Sequence, residues 1–408
     1  MKRFDIVTYS AVIFSLLLTS SCETKKEDNE SESGNSVTVV NPIKKARAEV
    51  IEVNISEDSN FKEGVFKTEG EIIEVIDEDN NGQADKLVFK IHLEGNETKT
   101  LDLNSLVKSS VPKYTQAEIS HKIGGEWNDR EYEGGKFQNV SHLSVPPEHT
   151  DHSWFIRYEG PGLESEKVGY RFYLDWRNAV DIFGKKVDSL VLQEVGQDGF
   201  DSYHEPSDWG MDILKAGKSL GIGSIGYLLK DSVVHFQRTD SVVCFVDNEK
   251  HLLSGINTFY YGWETGESKV DLKSFMNIKS GERAVSHSVS FSKPIDHFCT
   301  GIVKHENGEK IESLVGSNGW AYLATFGKQS LADDNLGMAI LYNTNEVSEI
   351  KDGAYDHLIE FKPSNKVKYY LLGAWEQENN GIKTKEEFIK YLDDKVERLN
   401  NPLEVNIR

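Results

Sequence analysis

Cysteine is scarce in this chain, with three in 408 residues, and so are methionine at four and proline at nine. Three cysteines cannot staple a polypeptide of this length, and nine prolines with 33 glycines exclude collagen-like and low-complexity compositions. Positive charge is also in deficit, 46 Lys and Arg against 67 Asp and Glu, for a formal net charge of −21. A surface this acidic repels a polyphosphate, so nucleic acid is excluded as a partner unless a basic stripe overrides the field locally. Any acidic ligand needs the same override. Beyond the N-terminus no run approaches the ~18 apolar residues of a membrane-spanning helix. What the chain does have is 38% hydrophobic and 10% aromatic residues, a globular composition with enough apolar surface for a large core. The length suggests two or three domains, although one large all-β domain can absorb most of it.

The first 22 residues read as an export signal. Lys2 and Arg3 are followed by the short apolar run Ala11 to Leu18, then Thr19-Ser20-Ser21 and a lone Cys22. The run is too short to span a bilayer, and its end resembles a bacterial lipobox, with Thr19 where Leu is more usual. Residues 1–21 are therefore expected to be removed and Cys22 to be acylated; simple cleavage leaving a free cysteine is the alternative. Residues 22–36 carry almost nothing that can be buried and are expected to be a disordered tether. Within it, Lys26-Glu27-Asp28 resembles an acidic signal for export to the outer face of the outer membrane, or is an ordinary hydrophilic linker. The expected location is the outer membrane, through a lipid.

Alternating apolar residues in short runs dominate residues 37–402, as at Leu87, Phe89, Ile91 and Leu93. Further runs are Tyr170–Leu174, Val187–Val191, Val233–Phe236, Val242–Val246, Val285–Phe291, Trp320–Phe326 and Tyr369–Trp375. Regular short strands without intervening helices predict a mostly β protein, an antiparallel sandwich or barrel. The pattern fits one large domain and leaves room for a small N-terminal β subdomain over residues 37–110. The exception is residues 384–400, where Thr384 and Glu387 form a capping box and Phe388, Leu392, Val396 and Leu399 repeat at helical spacing before Pro402. This helix is expected to pack on the outside of the β core.

Three local patterns suggest ion or thiol chemistry. Asp77, Asp79, Asn81 and Asp85 with Gly82 offer oxygen ligands at a spacing that calcium accepts, although strands flank the loop and position 12 is Val88. An Asn-Gly hairpin turn with acidic flanks explains the same residues without an ion. Cys244 and Cys299 lie in apolar runs, where they either pair after export or remain buried thiols. His142, His149 and His152 lie within eleven residues, so a zinc site is conceivable, yet in an extended piece His149 and His152 point to opposite faces and joint chelation needs a turn between them; substrate contact or plain solvated histidines are the alternatives.

Two clusters carry denser chemistry. Between Lys167 and Lys186 five cations (Lys167, Arg171, Arg177, Lys185, Lys186) face Asp175 and Asp181, a local excess of three in an acidic protein. In a strand Arg171, Tyr173, Asp175 and Arg177 share one face, and Trp176 adds a flat ring. Arginine forks carboxylate or sulfate, and aromatic rings stack on sugar faces, so this patch is a candidate for an acidic saccharide; a structural Arg–Asp–Arg ladder is the alternative. The second cluster runs from Ser202 to Asp212. It offers His204 as an acid/base residue, Tyr203 or Asp208 as its partner, and Trp209 as a sugar platform, or it is a surface turn. The glycines from Gly217 to Gly226 lack the Lys-Ser/Thr of a phosphate loop.

The phrases Tyr158-Glu159-Gly160-Pro161-Gly162, Val168 to Lys186, Tyr203-His204 through Asp212, Ser219-Leu220-Gly221 and Asp333-Asp334-Asn335-Leu336-Gly337 resemble a Bacteroidota lipoprotein family, domain of unknown function 4861. The resemblance spans most of residues 41–402. It implies a galactose-mutarotase-like β-supersandwich and a place among proteins that degrade uronate-rich glycans such as ulvan, pectin or alginate. Some relatives are implicated in dehydrating unsaturated uronate oligosaccharides. A uronate has a C5 proton acidified by its carboxylate. Elimination therefore needs a cation on that carboxylate (Arg171 or Arg177), a base or acid (His204), a complementary group (Tyr203 or Asp175) and sugar platforms such as Trp176 and Trp209. No cofactor is required beyond an optional structural calcium. Hydrolysis through Asp175, Asp208 or Glu159, and glycan binding without catalysis, use the same residue types.

Overall fold

The computed structural model describes residues 35–55, 61–78, 81–199, 202–230, 232–266, 268–313 and 319–408. The export signal, Cys22, nearly all of the tether and Asp79 lie outside the described residues.

A nine-stranded antiparallel sheet organises the molecule. Its strands, in spatial order, are His142–Ser144, Ser241–Asp247, Leu253–Thr265, Ser268–Lys279, Ala284–Ile295, Ser364–Trp375, Asn335–Asn343, Trp320–Lys328 and Gly308–Glu312. One face packs on two smaller antiparallel sheets. The first contains Gly210–Asp212, Val180–Lys185, Val168–Phe172, Gly162–Ser165, Thr115–Asn128 and Glu131–Val140; the second contains Ser232–Val234, Ile222–Leu229, Phe298–Val303, Asp356–Phe361 and Val347–Asp352. Alternation sends every second side chain into the space between the layers, where Ile182, Ile225, Val289, Met338, Leu371 and Trp375 belong to one apolar cluster. The expected antiparallel β-sandwich is present. Where the layers meet most closely only glycine fits: a Cβ on Gly184 would lie 2.5 Å from the Trp375 ring.

The opposite face of the large sheet is covered in two places. The helix Lys385–Asn400 begins at a complete Thr384/Glu387 capping box and buries Phe388 and Leu392 against Tyr322, Ala324 and Leu341. It lies outside the sandwich, as its amphipathic spacing predicts. Beside it, the strands Arg47–Asn54, Lys86–Leu93, Glu71–Ile76, Gly64–Thr68 and Val107–Lys108 form a five-stranded sheet. A three-stranded sheet of Glu404–Ile407, Ser36–Val40 and Thr98–Asp102 joins it, and the two share an apolar cluster around Val37, Ile73, Leu87, Phe89 and Leu101.

Some expectations need correction. Residues 187–191 are not a strand: the strand before them ends at Lys185, whose ammonium is buried on Glu164 Oε2 (2.7 Å) and the Ser165 carbonyl (2.7 Å). The run from Tyr170 leaves its strand after Phe172, because the Leu174 N–H donates to the Glu159 carbonyl instead of continuing the ladder. Cys244 and Cys299 are buried free thiols on strands of opposite layers, so no disulfide joins them, and burial pushes both thiols up. In the acidic loop Asp77 accepts the N–H groups of Asn81 (3.1 Å) and Gly82 (2.7 Å), Asn81 Oδ1 accepts that of Gln83 (2.8 Å), and Asp85 accepts that of Glu78 (2.6 Å). These oxygens close the turn themselves.

Candidate functional site

Strands Val168–Phe172 and Val180–Lys185 pair with Arg171 opposite Asp181, and this register starts a buried ionic network. Arg171 donates through Nη2 to Asp181 (2.8 Å) and Asp212 (2.7 Å) and through Nη1 to the Tyr203 hydroxyl (2.9 Å). The Tyr173 hydroxyl donates to the same Asp181 oxygen (2.8 Å). Arg177 donates through Nε to both Asp175 oxygens (3.0 Å each), through Nη2 to Glu159 (2.7 Å), and lies with Nη1 2.7 Å from Asp151. The Tyr173 ring is gripped by both guanidinium groups, 4.9 Å from Arg171 and 4.3 Å from Arg177. Glu159 ties the halves together, its other oxygen 3.9 Å from Arg171.

An imidazole caps each end of the network. His204 Nε2 lies 3.2 Å from Asp212, and His152 Nδ1 lies 2.5 Å from Asp151 and 3.9 Å from Glu159. A carboxylate only accepts, so the nitrogen that faces it in each ring is the donor. His204 is half-buried and His152 exposed. Six of the residues read from the sequence (Arg171, Tyr173, Asp175, Arg177, Tyr203 and His204) thus belong to one connected structure.

The charge of that structure is the opposite of the expectation. Two guanidinium groups meet five carboxylates, Asp151, Glu159, Asp175, Asp181 and Asp212, and Arg171 is 4% exposed. The local count over 167–186 misses partners that arrive from residues 151, 159 and 212. The other cations of that window are also engaged: Lys185 is buried on Glu164, Lys167 lies 3.3 Å from Asp188, and Lys186 lies 5.9 Å from the Trp375 ring centre. No free cationic patch forms there. Burial and the neighbouring Asp212 raise the Asp181 carboxyl against the pull of Arg171. Burial acts the same way on Glu159, but Arg171 and Arg177 outweigh it and hold that carboxyl below its usual range.

The roles assigned to single residues shift accordingly. Burial pushes the Tyr203 and Tyr173 hydroxyls up, so both are protonated donors at neutral pH, and Tyr203 is no base. Asp175 is buried and holds Arg177. The exposed Asp208 gives way to Asp212 as the partner of His204. Trp209 packs edge-on to Phe183 (6.0 Å) in the cluster beneath Tyr203 and is not a platform. Trp176 is 43% exposed and does face a cleft, about 260 Å³, shared with Arg177, Lys218, His235, Tyr355 and Asp356. Burial raises the Asp356 carboxyl to about 7.

A further cleft went unread in the sequence. About 450 Å³ lies between Lys122, Lys136, Phe137, Trp154 and Gln197, and a separate recess of about 20 Å³ that shares Phe137 and Trp154 with it is lined by His152, Tyr158 and Glu159. His152 (φ 58°), Trp154 (φ 62°), Tyr158 (φ 39°) and Glu159 (φ 72°) are all left-handed without being glycine. Such conformations cost roughly 1–3 kcal/mol each and persist only where surrounding structure enforces them, often at functional sites. The His149–His152 segment is thus a turn and not an extended piece, with Ser153 N–H on the Thr150 carbonyl (3.0 Å). The three histidines do not converge: His142 stacks on Phe245 (5.7 Å), and His149 is buried on Ser153 Oγ (2.8 Å). Asp151, His152 and Glu159 do place ligand atoms within 4.8 Å of one another, but the Arg177 guanidinium already occupies the position between the two carboxylates.

The model of a domain of unknown function, DUF4861, matches residues 39–405. The chain belongs to the DUF4861 family. It is similar to an uncharacterized protein P7 of Formosa agariphila, 25% identical over 361 residues that cover 82% of this chain and 80% of that one. Among solved structures it is similar to an α-mannosidase from Enterococcus faecalis V583 (10% identity, TM-score 0.41) and a glycosyl hydrolase family 38 protein from Enterococcus faecalis (8%, 0.41). Each similarity covers 92% of this chain but 46% and 48% of those proteins, so the chain spans about half their length. The family match includes every residue of the ionic network and of the Trp154 cleft.

Proposed function

We propose that this DUF4861 protein is a carbohydrate-active enzyme that performs elimination on an acidic, uronate-containing oligosaccharide in the Trp154 cleft. The observation that carries the reading is His152: exposed, oriented through Nδ1 by Asp151, held in a left-handed conformation, and placed in a small recess that shares Phe137 and Trp154 with the larger cleft. Trp154 and Phe137 offer faces to sugar rings. Lys122, whose Nζ lies 5.6 Å from the Phe137 ring centre and 3.4 Å from the Tyr132 carbonyl, and Lys136 line the same cleft without a carboxylate partner among the described residues, so they replace Arg171 and Arg177 as the cations for the substrate's carboxylate. His152 Nε2 takes the C5 proton, the C5–H electron pair becomes the C4=C5 bond, and the C4–O bond breaks. The departing oxygen receives the proton back from the imidazolium. Arg177 and Glu159 act as positioning residues that fix Asp151 and the backbone N–H of His152. His204, oriented by Asp212, is the competing base, because it has the same His–carboxylate construction at the other end of the network.

The test uses saturated uronate oligosaccharides, which keep the C5 proton and the C4–O bond, followed by mass and by the rise in absorbance of the conjugated double bond. Loss of one water from an intact chain identifies dehydration, two shorter products identify a lyase, and an unchanged ligand that co-elutes identifies a binder. Removing a general base lowers turnover by roughly 10²–10⁴-fold, the effect expected of His152→Ala. Full turnover by that variant, with loss in His204→Ala, transfers the role to the other end of the network.

A further inference from the structure

Another cavity lies on the opposite face of the nine-stranded sheet. About 480 Å³, open to solvent on one side, lies between the strand Arg47–Asn54, the outward side chains of the large sheet and the last turns of the helix. That volume falls within the ~300–1,000 Å³ of ordinary ligand pockets. Neighbouring residues of one strand show the change of face. Tyr369 points inward and donates to the Gly223 carbonyl (2.8 Å), whereas Tyr370 lines the cavity.

Ion pairs between the packed units account for most of the charge here. Arg47 pairs with Glu49 (2.6 Å), Lys279 with Glu52 (3.0 Å), and Lys395 with Glu282. Two features are left unexplained. Lys368 has no carboxylate partner among the described residues and sits 5.5 Å from the centre of the Tyr370 ring. Arg398 reaches Asp394 (2.7 Å), but its Nε is buried without an acceptor. Five cations against the lining carboxylates Glu49, Glu52 and Glu282, or against four with Asp394 added, make this cavity positive in a chain of −21. Trp320 meets Tyr370 edge-on at 5.2 Å, and Asn277, Ser286 and Tyr370 follow one another in register across three strands. Rings, a row of amide and hydroxyl groups, and surplus positive charge together match a sugar that carries a carboxylate or sulfate.

We infer that this cavity is a second binding site for an acidic oligosaccharide, separate from the Trp154 cleft and without acid/base machinery of its own. The choice of an acidic sugar rests on the proposed function; the site's existence rests on the cavity. It holds a longer chain or its product on the protein while the cleft works on an end.

The experiment measures calorimetric binding of a sulfated uronate tetrasaccharide, and of a neutral tetrasaccharide, to the full chain carrying His152→Ala and His204→Ala together, so that neither candidate base can consume the ligand. Adding Lys368→Glu or Trp320→Ala to that protein should weaken binding of the acidic tetrasaccharide at least tenfold and remove one of two binding events. Circular dichroism confirms that each variant is folded. Equal affinity for the neutral chain, or unchanged isotherms in both variants, overturns the inference. Turnover of the same tetrasaccharide by the wild-type chain is read separately. Absent turnover with loss of binding in the cavity variants sinks the enzymatic reading alone, whereas turnover with unchanged isotherms sinks the second site alone.

Discussion

His287 should make this protein acid-sensitive in a window that can be calculated. It sits in the strand Ala284–Ile295 with no exposed surface, Nε2 2.7 Å from Ser274 Oγ and Nδ1 3.4 Å from the Gly223 carbonyl, where the second layer meets the large sheet. Burial lowers its pKa to about 4, from 6.5 for an ordinary histidine. The folded protein therefore keeps the ring neutral while the unfolded chain protonates it, and stability is lost as pH falls from the unfolded value toward the folded one. A displacement from 6.5 to about 4 corresponds to about 3 kcal/mol when complete, and to about 2 kcal/mol at pH 5. Other groups titrate in the same range with both signs. Burial also lowers His149 and His235, which adds to the acid loss, while Asp356, raised to about 7, opposes it. The informative quantity is thus the difference between wild type and His287→Gln, which keeps hydrogen-bonding capacity and cannot titrate. Urea unfolding at pH 7.5, 6 and 5 should show the variant gaining on wild type as pH falls, by about 2 kcal/mol at pH 5. A pH-independent difference would refute the assignment.

Two other expectations concern packing and ions. A Cβ on Gly337 would lie 2.7 Å from the Phe388 ring, so Gly337→Ala should cost roughly 1–3 kcal/mol and Phe388→Ala about 3–5 kcal/mol. The double variant should lose less than the sum in urea unfolding, and strict additivity would show that the helix does not press on that strand. Because Asp77 and Asp85 already accept backbone N–H groups, millimolar calcium should leave the melting temperature where a chelator leaves it; a calcium-dependent rise abolished by Asp77→Asn would reverse that reading.

The parts of this molecule that were legible in its sequence are those whose determinants are local. The helix Lys385–Asn400 was readable because its cap, its apolar stripe and its terminating Asn-Pro lie within twenty residues. Alternation likewise located strands such as Trp320–Lys328. It failed at Val187–Val191, where the buried Lys185–Glu164 pair ends the strand. Arg171 and Tyr173 were rightly grouped, but their charge balance was not readable, since Asp212 lies forty-one residues on and Asp151 precedes the counted window. His152 was grouped with His142 and His149 and not singled out as a base, because period-two reasoning assumes an extended backbone, and the left-handed His152 and Trp154 break that assumption. The cavity beside the helix draws its lining from residues near 47, 279, 320, 368 and 398, a combination that only folding brings together.

The pairing of Ser36–Val40 has a mechanical meaning. That strand is hydrogen-bonded on one side to Glu404–Ile407 and on the other to Thr98–Asp102. A pull on the leading end of the chain is met along the strand axis, in shear, by rungs on both flanks rather than being unzipped one at a time. Tension is taken up in the small sheet that joins Ser36–Val40 to Glu404–Ile407 and Thr98–Asp102, leaving the sandwich and its clefts unstretched.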